Sequence, residues 1–276
     1  MSYETLAFIG AGNMASSLIS GLIADGYPPD RIRVSDSQLA MSQSLGDRFG
    51  VVVCTSNQEA VASAAVVVLA VKPQVMHGVL VDLKDCLKKT QPLLLSIAAG
   101  IACHSIQRWS GEIKAVVRTM PNTPAMVQSG ATGLYATEAV SERQREVAES
   151  ILRAVGITVW VQDETLIDAV TALSGSGPAY FFLLMEAMTE AGIQLGLDRG
   201  TASLLSQQTA LGAGRIAIES SEDPSELRRR VTSPGGTTER AIATFEAGGF
   251  RDLVLSAMRA AKDRAEVLSQ ELGGAE

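Results

Sequence analysis

The chain has 276 residues, 46% hydrophobic and 19% charged, with 25 glycines and a net charge of −7. At about 100–200 residues per domain, this is chain enough for two domains with sizeable cores, and its composition excludes a disordered polymer, a collagen and a small disulfide scaffold. The negative charge also excludes a general nucleic-acid binder, which needs a basic footprint.

That charge is unevenly spread. Residues 1–161 carry as many acids as bases, so the whole deficit falls in residues 162–276. An anionic ligand is therefore expected on the N-terminal part. Cys54, Cys86 and Cys103 are too few and too scattered for a disulfide framework or a Cys-x-x-Cys site. His77 and His104 show no ligand spacing with any of them, so no metal site is expected. The N-terminus carries no signal-peptide pattern. The longest uninterrupted apolar run, Ala64 to Val71, is far short of the roughly 18 residues of a membrane span. A soluble cytoplasmic protein with no membrane partner is the expectation.

Along the chain, short apolar runs first alternate with amphipathic stretches. Leu6 to Ile9, Ile32 to Val34, Val51 to Cys54, Val66 to Val71, Leu93 to Ile97 and Val116 to Val117 read as strands. Several are apolar on both faces, as a sheet covered by helices requires. Met14 to Ala24, Leu39 to Phe49 and Val75 to Leu87 read as the helices between them. This repetition predicts a parallel sheet with right-handed crossovers.

From about Glu164 the pattern becomes helical. Ile167 to Leu173, Ala179 to Leu195, Thr201 to Ser220, Pro224 to Val231, Thr237 to Gly248 and Phe250 to Leu272 read as helices, with no convincing strand. Ala179 to Leu195 is apolar on nearly all sides, which demands burial against several neighbours. About 115 residues supply little cover, so this helix is expected at the seam of an oligomer rather than as a core helix of one subunit. The domains are thus 1–161 and 162–276.

Gly10-Ala11-Gly12-Asn13-Met14-Ala15 follows the first strand and opens a helix. Gly10 permits the tight turn, Gly12 lets a pyrophosphate approach, and Ala15 keeps the helix close to the sheet. The helix N-terminus offers free N–H groups to the phosphates. The second strand ends at Ser35-Asp36. An acid there favours the free ribose 2′-hydroxyl of NADH, whereas a serine can donate to the 2′-phosphate of NADPH, so both cofactors stay open. The fourth strand runs into Ala70, Val71, Lys72 and Pro73, at the sheet edge where ligands lie. Lys72 there either reaches a phosphate or ribose or is a solvated lysine ahead of a helix.

The chemistry follows by elimination. Carbonyl reduction needs a positioned acid. Neither Tyr135 nor Tyr180 has a lysine four residues on, both histidines lie in the first domain, and the helical domain holds only Lys262. An imine asks for less, because it can arrive already protonated. Two small-residue turns suit a small anion: Leu173-Ser174-Gly175-Ser176-Gly177-Pro178, and Val231-Thr232-Ser233-Pro234-Gly235-Gly236-Thr237-Thr238. Plain helix-capping turns are the competing reading of both.

GAGNMA, AVKP, Met120-Pro121-Asn122-Thr123-Pro124, LSGSGPAY and VTSPGGTT, in this order and spacing, resemble the pyrroline-5-carboxylate reductase family over essentially the whole chain. The resemblance implies a Rossmann-type α/β domain followed by an all-α dimerisation domain. It implies reduction of L-1-pyrroline-5-carboxylate to L-proline by NADPH, with NADH also plausible because of Asp36. It further implies a homo-oligomer of dimers, each active site being completed by the partner subunit. Carried over, the pattern places the pyrophosphate on Gly10, Ala11, Gly12, Asn13 and Met14, and the adenosine ribose near Ser35, Asp36 and Asn57. Ala70, Val71, Lys72 and Pro73 would border the nicotinamide end with Ala98, Ala99, Gly100, Met120 and Asn122. The substrate carboxylate would rest on Val231, Ser233, Gly235, Gly236 and Thr237, with Glu164 and Ser176 lining the same site. Thr238 would hydrogen-bond the ring nitrogen as a positioner or a relay from water. Arg230 either attracts the carboxylate or, with Arg228 and Arg229, lies on a solvated face. A reductase of six-membered cyclic imines and a catalytically idle dinucleotide sensor are the alternatives.

Overall fold

Alternation along the strands determines how the sheet is covered. A computed structural model describes residues 3–274 of the chain. In its first strand, β1 (Leu6–Ile9), Leu6 and Phe8 join one apolar cluster, while Ala7 and Ile9 join another. All four are buried, so both faces of the sheet carry helices.

Chain order continues with α1 (Asn13–Ala24), β2 (Ile32–Ser35), α2 (Leu39–Phe49), β3 (Val52–Val53), α3 (Asn57–Val61), β4 (Val66–Leu69) and α4 (Pro73–Thr90). Next come β5 (Leu93–Ser96), α5 (Cys103–Trp109), β6 (Val116–Met120), β7 (Gly130–Ala136), α6 (Glu142–Arg153) and β8 (Gly156–Trp160). The eight strands lie in the order β3-β2-β1-β4-β5-β6-β7-β8. Order reverses between β1 and β4, which leaves a crevice at the carboxyl ends of these strands.

Two departures from the sequence expectation concern the far edge. β7 runs antiparallel to β6, so the sheet is mixed rather than wholly parallel. β7 and β8 also carry too much glycine and too little clear alternation (GATGLYA, GITVW) to declare themselves as strands. Tertiary pairing supplies what propensity does not.

The remaining elements are α7 (Leu166–Val170), a π-turn over Thr171–Gly175, α8 (Gly177–Gln194), α9 (Arg199–Glu219), α10 (Pro224–Arg230), α11 (Thr237–Ala247) and α12 (Phe250–Gly273). Contacts divide the chain into two compact units: residues 3–176 with 261–274, and residues 177–260. Composition changes at 161/162, yet the next fifteen residues pack on the sheet. A Cβ on Gly133 of β7 would lie 2.7 Å from a Val170 methyl, and Asn122 reaches the Ser174 carbonyl at 2.9 Å. The last turns of α12 return to the same unit, where Leu272 packs against its core.

The second unit consists wholly of helices. α8 and α9 pack together, but Phe181, Phe182, Leu183, Leu204, Leu205 and Leu211 stay more than half exposed in the single chain. By length and composition, the continuous stretch 166–194 could cross a membrane. The longest apolar run misses this, because the stretch earns its hydropathy as an average, with glycines, serines and a few polar residues between the large side chains.

Candidate active site

The glycine loop sits at the crest of the crevice. Gly10 adopts φ +102°, and a Cβ there would lie 2.6 Å from the Ala70 carbonyl oxygen, so only glycine fits between β1 and β4. Gly12 caps α1 with extended backbone and no side-chain hydrogen bond, and the space where its Cβ would stand is open. The first turn of α1 thus offers N–H groups beside an empty cradle, which fits the pyrophosphate of a dinucleotide.

The end of β2 distinguishes Ser35 from Asp36. Ser35 is buried, and its hydroxyl donates to Asn57 Oδ1 at 2.7 Å. Asp36 is half-exposed and turned back on the glycine loop. Its Oδ2 accepts the Ala11 N–H at 2.8 Å, and its Oδ1 accepts the Gln38 N–H at 2.8 Å. Asp36 therefore holds the loop in shape and places negative charge at the strand end where a ribose lies in such folds.

Farther along the edge, Ala70 N–H donates to Ile9 O and Ile97 N–H to Leu69 O, aligning the ends of β1, β4 and β5. Lys72 is exposed at the start of α4, which Pro73 opens. Ala98, Ala99 and Gly100 form the loop after β5. Gly100 lies under the C-terminal helix, where an added Cβ would be 3.3 Å from Leu272 Cδ1 and 3.5 Å from Leu268 Cβ. Met120 ends β6 and packs on Gly175, while Asn122 donates to Ser174 O and accepts from the Ala131 N–H. Ser176 closes the π-turn, its N–H donating to Thr171 O. All these segments belong to one unit.

Glu164 lies beside them, with one carboxylate oxygen already engaged. Its Oε1 accepts the Cys103 N–H at 2.7 Å and Arg118 Nη1–H at 3.1 Å. Arg118 also donates through Nη2 to Asp168 Oδ1 at 3.2 Å. Burial pushes the Asp168 carboxyl above the usual aspartate range, and Arg118 pulls it down. Burial likewise drives the Cys103 thiol far up, so it is no nucleophile. Arg118 and Asp168 escaped the reading of the sequence. The signals were present: an arginine inside the apolar strand VVRTM, and two acids one helical turn apart.

In the second unit, Val231, Ser233, Gly235, Gly236, Thr237 and Thr238 form the connection from α10 to α11. Gly235 has φ +72°, and Gly236 caps α11 with no side-chain hydrogen bond. Thr238, in the first turn, is half-buried. The Gly235 N–H donates to Glu239 Oε2 at 2.7 Å. Arg230 is exposed and paired with Glu222 and Glu226, Arg229 with Glu226, and Arg228 with Glu246. These arginines are thus tied to carboxylates of their own unit. Among the described residues, no cluster of three or more metal-ligating side chains occurs.

Comparison with known proteins supplies the family. Residues 164–268 match a model described as pyrroline-5-carboxylate reductase dimerisation, and residues 5–100 match one described as NADP oxidoreductase, coenzyme F420-dependent. A curated pyrroline-5-carboxylate reductase from Pseudomonas aeruginosa is 56% identical, over 99% of this chain and 100% of that one. The chain belongs to the pyrroline-5-carboxylate reductase family. A solved reductase from Coxiella burnetii superposes with a TM-score of 0.94 at 48% identity, covering 97% of this chain and 99% of that one. A Plasmodium falciparum pyrroline carboxylate reductase, solved with NADP bound, gives 0.82 at 27% identity over 98% and 99% of the two chains. As a member of this family, the chain is an NAD(P)-dependent oxidoreductase that reduces L-1-pyrroline-5-carboxylate to L-proline, in proline biosynthesis. Its helical region is a dimerisation domain, and the molecule is a homo-oligomer.

Proposed function

We propose that two glycine-opened helices serve the reaction: α1 binds the dinucleotide pyrophosphate, and α11 of a partner subunit receives the substrate carboxylate. The observation that carries this reading is that both helices begin at a glycine with no side-chain cap, leaving first-turn N–H groups for an anion. In this proposal Gly10 to Met14 hold the pyrophosphate, and Asp36 and Asn57 border the adenosine ribose with Ser35 behind them. Ala70 to Pro73, Ala98 to Gly100, Met120 and Asn122 flank the nicotinamide end. When bound, the dihydronicotinamide supplies a hydride to the imine carbon.

The chain's own residues bind and orient. Val231, Ser233, Gly235, Gly236 and Thr237 fix the carboxylate, and Glu164 and Ser176 line the site. Thr238 hydrogen-bonds the ring nitrogen. An unperturbed hydroxyl is a poor acid, so Thr238 orients a substrate that arrives as the protonated imine, or passes on a proton from water. Each site draws its α10–α11 turn from the partner subunit, residues 1–161 serving the nucleotide and 162–276 the substrate and the dimer. NADPH is the reductant, with NADH accepted because Asp36 places a carboxylate where a 2′-phosphate would sit. The enzyme works in the cytoplasm, and the exposed apolar side chains of α8 face a second copy rather than a bilayer.

Steady-state oxidation of NADPH and NADH with pyrroline-5-carboxylate tests the assignment. Turnover with both cofactors is expected. Loss of NADPH turnover alone would overturn the cofactor assignment, and no turnover with either would overturn the site.

A further inference from the structure

Arg118 is the most deeply buried cation of the nucleotide-binding unit that has paired carboxylates around it. Its side chain is 4% exposed, with Glu164 and Asp168 on its two terminal nitrogens. Its Nε is buried and lacks a hydrogen-bond partner. Such an arrangement is a poor way to gain stability, because desolvating the charges offsets much of their attraction. Its geometry, in contrast, is specific. Arg118 lies two residues before Met120 on β6. Through Glu164 it is tied to the N–H of Cys103, directly after the 98–102 loop. Through Asp168 it holds α7, which leads into the π-turn that Asn122 and Met120 contact at Ser174 and Gly175. On the next residue of β6, the Thr119 hydroxyl donates to Ser96 O at the end of β5.

The two carboxylates on this one guanidinium therefore link three segments: the loop after β5, the end of β6 and, through α7, the turn before α8. We propose that Arg118 is a positioning residue for the reduction, setting Glu164 in one orientation and keeping these three segments in register at the nicotinamide edge. The proposal rests on the reading that Ala98 to Gly100, Met120 and Glu164 border the reacting groups. Glu164 remains about a quarter exposed on its side chain, 23%, with Oε1 occupied by Cys103 and Arg118. In that reading its other oxygen faces the substrate. A carboxylate held there favours the protonated imine, the form that accepts hydride, and this extends the reaction to higher pH. A planar fork gripping two carboxylates cannot be matched by a lysine, which reaches one at a time.

The test uses Arg118→Met, Arg118→Lys, Glu164→Gln and the double variant Arg118→Met/Glu164→Gln in the full-length oligomer. Measurements are kcat and KM for pyrroline-5-carboxylate from pH 6 to 9, NADPH affinity by fluorescence, and thermal melting. Arg118→Met should lower kcat by about 30-fold with NADPH affinity held within about threefold, and Arg118→Lys should recover part of the loss. The alkaline limb of kcat/KM should move to lower pH in Glu164→Gln, which loses the carboxylate, and should depart from the parent's in Arg118→Met, which releases that carboxylate and removes the neighbouring cation; the double variant should be no worse than the poorer single one. If Arg118→Met melts early and cannot be assayed, Arg118→Lys carries the same pH readout. An unmoved pH profile in both Arg118 variants, with Glu164→Gln impaired, would overturn the role of Arg118. Wild-type kinetics in Glu164→Gln would instead overturn the placement of the site on which the proposal rests.

Discussion

Asp36 shows how a residue with an obvious reading acquires a second one. From its position it is proposed to border the ribose, and its carboxylate also accepts the N–H of Ala11 inside the glycine loop. Asp36→Ser should therefore raise the NADPH/NADH preference and weaken both cofactors together, by about tenfold in KM. Parallel kinetics with the two cofactors check this, and an unchanged ratio would place the carboxylate away from the 2′ position. Thr238 makes a sharper forecast. Thr238→Ala should lower kcat about 100-fold with cofactor affinity preserved, since in the proposed site only the imine loses a partner. Fluorescence titration with NADPH separates that outcome from collapse of the turn. Tyr27 bears on stability instead. Its hydroxyl donates to Glu4 O at 2.5 Å, and burial, the largest cause, pushes the phenol up to about 12. An unfolded tyrosine ionises near pH 10, so the stability Tyr27 lends is whole below pH 10 and lost as pH rises toward 12. Absorbance at 295 nm should show one of the four tyrosines ionising only with unfolding in that window. At this scale, the glycine loop and the acid at the end of the second strand were legible in the sequence. Orientation was not: only the folded strand end buries Ser35 against Asn57 and leaves Asp36 to the loop.

Elements were legible in proportion to how much of their stability is local. β1, β4 and β5 are short Val-, Leu- and Ile-rich runs buried on both faces, and the sequence places them within two residues. β7 and β8 depend on pairing. Gly156, with φ +151°, lies so close to Gly130 that an added Cβ would be 2.0 Å from the Gly130 carbonyl oxygen. Gly156→Ala should accordingly cost on the order of 3 kcal/mol, seen as a lowered Tm with the far-ultraviolet spectrum of the folded state retained. A Tm within a degree of the parent would mean that the strands separate freely. α7 and the π-turn illustrate the opposite bias, since a helical pattern suggested one plain helix over Ile167 to Leu173. The wider turn at Thr171–Gly175 sits where Met120 fills the space that a Cβ on Gly175 would take, at 2.6 Å. A tertiary contact sets the local winding there.

For the whole molecule, the decisive feature is apolar surface that one chain cannot cover. Leu183 on α8 is 66% exposed in the single chain, within a domain matched to a dimerisation model. Leu183→Glu should leave each subunit folded, because that side chain is already in contact with water. It should dissociate the oligomer by desolvating a charge in the seam. Sedimentation velocity reads the assembly state. Reductase activity should fall with it while NADPH binding survives, as expected if the α10–α11 turn comes from the partner. Activity retained in a true monomer would refute the shared site. By itself, the sequence determined the class of fold, the family and the reaction. Each of these is written in local signals: hydrophobic period, glycines where a Cβ cannot go, and small-residue turns that open helices. Only the tertiary structure decided which carboxylate clamps the glycine loop, that β7 turns antiparallel, and that Arg118 gathers Glu164 and Asp168 from 46 and 50 residues away. Burial and long-range pairing create those relations, and they exist only once distant segments have been packed together.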